Sequence, residues 1–163
     1  MSASLRGRVN ESLQAANALL QLSDGPAPSQ ALSPPQWRRV LTGSALYHLV
    51  CAYRVFLAEI LKGYQVEAFP DSAAEAGRYL ADRGRHSGEV EGLLSLEQGA
   101  WLGELLSAQR RFGLDEAGTT TATSRSSLAV ELADDSAERA RIATWAQQLQ
   151  GIILDYSSLL DEW

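Results

Sequence analysis

Ser33-Pro-Pro-Gln-Trp-Arg-Arg-Val-Leu-Thr-Gly-Ser-Ala-Leu-Tyr-His-Leu-Val-Cys-Ala-Tyr-Arg-Val-Phe-Leu-Ala-Glu-Ile-Leu-Lys-Gly-Tyr64 is the stretch that sets the architecture. Ser33 before two prolines reads as an N-cap, because proline is tolerated in the first turn, where its missing N–H would go unpaired anyway. A helix from there to Tyr64 has roughly 30 residues and spans about 45 Å at 1.5 Å per residue. Leu46, Leu49, Val50, Tyr53, Phe56, Leu57, Ile60, Leu61 and Tyr64 fall on one broad face at helical spacing. The other side carries Ser44, Tyr47, His48, Cys51, Arg54 and Glu59 among Val40 and Val55, and from Val40 to Leu61 the only formal charges are Arg54 and Glu59. A helix apolar nearly all round is a central one, wrapped by its neighbours.

The flanking segments supply those neighbours. Leu5, Val9, Leu13, Ala16 and Leu20 form one stripe on an amphipathic helix over 4–22. Residues 23–33 are rich in proline and turn formers and read as a linker. After Phe69-Pro70, Asp71 or Ser72 caps a short helix from Ala73 to about Arg83, broken by Gly84 and Gly88. Ser95-Leu-Glu-Gln98 matches a capping box and predicts a helix running to Phe112. Residues 113–134, with Thr119-Thr-Thr-Ala-Thr-Ser-Arg-Ser-Ser127, lack large apolar side chains over most of their length and read as a mobile loop. The last helix is expected from Asp135, capped in the same way with Glu138, with Ile142, Trp145, Leu149, Ile152, Ile153, Tyr156, Leu160 and Trp163 as its apolar stripe. The expectation is an all-α chain, 1–163 as a single domain: an elongated four-helix bundle with a long central second helix and one short additional helix. The four Trp residues, one in each of four regions, are expected in core packing.

Composition agrees with this class and narrows the function. Ala and Leu number 24 and 25, against 7 Val and 4 Ile, so helix formers dominate. A net charge of −6 disfavours general nucleic-acid binding. Residues 86–163 hold 13 acidic and 5 basic side chains, an acidic half that favours a basic partner. The cations are arginine except Lys62, read here as composition bias rather than chemistry. One cysteine, Cys51, and no secretory pattern at the N-terminus point to a reducing, cytoplasmic setting. The stretch from Ala45 to Leu61 is too short and too charged for a membrane span.

Familiar catalytic constellations fail on spacing. A di-iron bundle needs Glu three residues before His, but Ala45 precedes His48 and Arg83 precedes His86. Two histidines are too few for a three-histidine hydrolase, and an Arg-x4-His ribonuclease pattern would need Arg where Gly43 and Ala81 stand. Cys51 lies one turn after His48, yet no carboxylate at an adjacent position orients the imidazole and no glycine-rich turn follows. No glycine-rich phosphate loop occurs, and no metal or cofactor is called for. The polar side of the central helix, with Tyr47, His48, Cys51, Arg54 and Glu59, is a core network, a ligand cleft or an interface with another copy. Gly99 and Gly103, four apart and opposite Trp101, form a second candidate strip for close helix contact.

The run Ser44-Ala-Leu-Tyr-His-Leu49, Glu59, Gly63-Tyr64, Trp101-Leu-Gly-Glu-Leu-Leu106, Trp145 and Ser158-Leu-Leu-Asp-Glu-Trp163 resembles a bacterial family of short proteins catalogued only as a domain of unknown function. The resemblance implies a helical, non-secreted protein with no assigned activity and no catalytic residue to carry over. The residues themselves point to a non-enzymatic protein-interaction module that self-associates. The alternative is a small-molecule-binding or enzymatic bundle with a pocket around Tyr47, His48, Arg54 and Glu59.

Overall fold

A computed structural model describes residues 4–115 and 128–160. Among them the chain is all helical: α1 Leu5–Ser23, α2 Pro34–Gly63, α3 Ala73–Ala81, α4 Gly88–Gly99, α5 Trp101–Asp115 and α6 Leu128–Leu160. Six helices replace the expected four plus one.

α2 begins as its residues require. The Ser33 hydroxyl accepts from the Gln36 N–H while the Gln36 side chain accepts from the Ser33 N–H, a capping box that serves two otherwise unpaired donors. The helix stops at a left-handed turn on Gln65 (φ 60°), where the Val66 N–H reaches the Leu61 carbonyl and the Gln65 N–H that of Lys62. α3 ends with the same hydrogen-bond pattern, but there Gly84 takes the positive φ. Gly88, expected as a breaker, instead opens α4 behind Ser87, whose hydroxyl accepts from the Val90 N–H.

Three expected boundaries shift. Ser95 does not cap a helix; it lies within α4, where its hydroxyl donates back to the Glu91 carbonyl. Ala100 is extended and divides α4 from α5. Asp135 and Glu138 fall inside α6, which is under way from Leu128. The loop anticipated over 113–134 is therefore helical at both ends, and the mobility expected of it falls on 116–127, outside the described residues.

One apolar core joins all six helices. Leu46, Leu49, Tyr53, Phe56, Leu57 and Ile60 of α2 are fully buried at its centre. α1 lies along α2 for most of its length and brings Val9, Leu13, Ala16 and Leu20, the stripe expected of it. α6 adds Ile142, Trp145 and Leu149 against both. At about 1.5 to 3 kcal/mol for each large apolar side chain buried, this shared interior is the main stabilising contribution. By length and composition alone α2 could cross a membrane, but most of that window lies buried in the bundle, which accounts for its apolarity. Of the tryptophans, Trp145 is buried, Trp101 packs against the core and Trp37 is half-buried, while Trp163 is outside the described residues.

Candidate functional site

The two halves of α2 have different surroundings. In the C-terminal half Val55 and Ala58 are buried, although they share a face with Val40, Ser44, Tyr47 and Cys51. The connection from α2 to α3 returns along that half: Pro70 is buried, Asp71 meets Arg54 at 3.3 Å, and Arg8 of α1 lies over the Phe69 ring at 5.9 Å. Among the described residues no such cover reaches the N-terminal half. There Val40 is 43% and Tyr47 57% exposed. Among the described residues, the wrapping expected of the whole central helix buries Val55 and Ala58 in its second half and leaves Val40 and Tyr47 exposed in its first.

The open strip is built around three side chains. The Tyr47 and His48 rings meet edge to face, with centroids 5.5 Å apart. A hydrogen bond with the Cys51 side chain, then the charge that thiol can carry, raises the Tyr47 hydroxyl above its ordinary value, only partly offset by Arg54. Tyr47 is therefore neutral at physiological pH, and no formal charge stands between Val40 and Tyr53. Beside these residues lies a shallow depression of about 370 Å³, closed on one side by Gln109 and Phe112 of α5. Phe112 fits because position 43 is glycine: a Cβ there would sit 1.9 Å from the ring.

The remaining candidates diverge. Glu59 turns to α1 and meets Arg6 at 3.5 Å, and Arg54 turns to Asp71. Neither lines the depression that holds Tyr47 and His48. Among the described residues no group of three or more His, Cys, Asp or Glu side chains is placed to hold a metal ion.

Gly99 and Gly103 lie on two helices rather than one, because Ala100 separates α4 from α5. Gly103 makes a close contact within the chain: a Cβ there would come 2.1 Å from the Glu97 carbonyl oxygen. Gly99 faces open space.

Two features were not anticipated from the residues. Glu97 accepts from the Tyr53 hydroxyl at 2.6 Å and from the Ala73 N–H at 2.8 Å, tying α2, α3 and α4 together. Its isolation among apolar neighbours in α4 was the available signal. Secondly, Arg38 and Arg39 of α2, Arg111 of α5 and Arg139 of α6 line one cleft.

A family model described only as a family of unknown function matches residues 1–163. No curated protein matches the chain, and no solved structure does.

Proposed function

The chain belongs to that family (DUF6586), so its role has to be read from its own surface, and we propose that it is a non-catalytic interaction module that self-associates through the open half of α2. The observation that carries this reading is a strip without formal charge in which Val40 and Tyr47 are exposed and Ser44, His48 and Cys51 half-buried, on a face where Val55 and Ala58 further along are buried. A helix face that ends one core is suited to begin another. Tyr47 has the properties of an interface anchor, with a large apolar ring, few rotatable bonds and one polar tip. A second copy is a better occupant than a strongly charged partner, since a two-fold interface brings the strip onto itself and an uncharged strip has nothing to repel. The divergence of Arg54 and Glu59 from Tyr47 and His48 supports binding over catalysis, because acid–base chemistry needs its groups within hydrogen-bond reach of one site.

Sedimentation velocity over a concentration series tests this. The wild-type chain is expected to dimerise at micromolar concentrations, and Tyr47→Glu to sediment as a monomer with an unchanged melting temperature. A wild-type chain that stays monomeric at millimolar concentration, or a Tyr47→Glu variant that dimerises like the wild type, overturns the reading.

A further inference from the structure

A cleft of about 930 Å³ opens where α1 ends and α2 begins, on the side where α5 and α6 pass. Among the described residues its α2 and α5 walls carry Arg38, Arg39 and Arg111, its α6 wall carries Asp135, Glu138 and Arg139, and Asp24 borders it after α1. Arg139 is already engaged, donating from Nη2 to the Leu20 carbonyl at 3.0 Å and to Asp24, and from Nε to the Ser23 hydroxyl at 3.2 Å. The other three are not. Among the described residues no carboxylate lies within ion-pair distance of Arg38, Arg39 or Arg111. Arg38, Arg39 and Arg111 line the cleft together with Asp135 and Glu138, yet none of the three is ion-paired to a described carboxylate. With Arg139 paired to Asp24, three cations face two carboxylates across the cleft, and a bound anion adds a partner for the excess positive charge on the α2 and α5 walls.

The geometry points to a binding site for a small organic phosphate that shares only Phe112 with the depression beside the α2 strip and does not rest on what that strip does. Guanidinium groups are permanently charged and present paired N–H donors that match phosphate oxygens. The carboxylates of Asp135 and Glu138 face the same space and suit the hydroxyl or amino groups of the molecule that carries the phosphate. Leu46 and Phe112 supply an apolar floor, and the volume falls in the range of pockets that enclose small ligands. A bare inorganic anion leaves the floor and the acidic wall unused. A nucleotide or a sugar phosphate uses all three.

The test is thermal stabilisation and calorimetric titration of the full chain with ATP and with glucose 6-phosphate, using adenosine and glucose as uncharged comparators. At least one phosphate is expected to raise the melting temperature by several degrees while its uncharged counterpart does not. Arg38→Gln and Arg111→Gln, both substitutions at the cleft wall, are each expected to weaken that binding about tenfold or more, equivalent to about 1.4 kcal/mol. Arg83→Gln, at an exposed position beyond α3, leaves it unchanged. The proposal is overturned if neither phosphate stabilises the chain, if the uncharged comparators do so equally, or if the two cleft variants bind like the wild type. Circular dichroism of each variant separates lost binding from lost folding.

Discussion

Tyr53 and Glu97, on α2 and α4, are joined by a 2.6 Å hydrogen bond from the phenol to the carboxylate, at a point where Tyr53 is fully buried. The same carboxylate oxygen takes the Ala73 N–H that opens α3. One acidic side chain thus holds the start of a helix against the middle of the core. Burial first, and the Glu97 hydrogen bond second, push the Tyr53 hydroxyl far above the ordinary tyrosine value.

Removing that hydroxyl tests the junction. Tyr53→Phe is expected to cost about 1.5 to 3 kcal/mol, the range for a hydrogen bond to a charged group, measured by urea denaturation at pH 7. The pH dependence follows from the sign of the shift. Above about pH 10 a tyrosine in the unfolded chain releases its proton while Tyr53 in the fold retains it, so the unfolded state binds fewer protons and stability falls as pH rises. Tyr53→Phe should show a shallower decline between about pH 9 and pH 11. An unchanged slope would mean that Tyr53 does not contribute to it.

The two glycines of the α4–α5 corner should respond oppositely. Gly103→Ala sets a methyl group against the Glu97 carbonyl, a backbone atom that cannot rotate away, and is expected to destabilise by about 1 to 3 kcal/mol, the range for overpacking. Gly99→Ala meets open space and is expected to be neutral or to stabilise by up to about 1 kcal/mol through reduced backbone entropy. Chemical denaturation of both variants decides it, and equal effects would contradict the packing of α5 on α4.

Gln65 and Gly84 occupy equivalent positions at the ends of α2 and α3, but only glycine adopts a positive φ without a steric cost. Gln65→Gly should therefore raise stability by about 1 kcal/mol, while Gly84→Ala should lower it by a similar amount. Thermal unfolding of the pair checks the prediction.

Where the sequence could be read, the reason was local. Ser33, Pro34 and Pro35 announce the start of α2 because capping and proline geometry act within one turn. The α1 stripe of Val9, Leu13, Ala16 and Leu20 is visible because a buried face repeats with the helical period. The break at Ala100 was not legible: Ser95 and Gln98 satisfy the capping pattern by residue type, yet Ser95 bonds inward to Glu91. Local pattern alone does not separate a cap from a serine inside a helix, since both leave a hydroxyl near a free backbone group. The polar candidates on α2 were legible as residues but not as a site, because which of them meet depends on what packs beside each turn.

From its residues alone this chain specifies an all-helical fold around a long apolar second helix, because helical propensity and apolar periodicity are properties of neighbouring positions. Only the tertiary structure decides that the α2–α3 connection runs along one half of that helix and that, among the described residues, Tyr47 on the other half is exposed. It alone brings Arg38, Arg39, Arg111 and Arg139 to one cleft. Those outcomes depend on contacts between residues tens of positions apart, which no local pattern encodes.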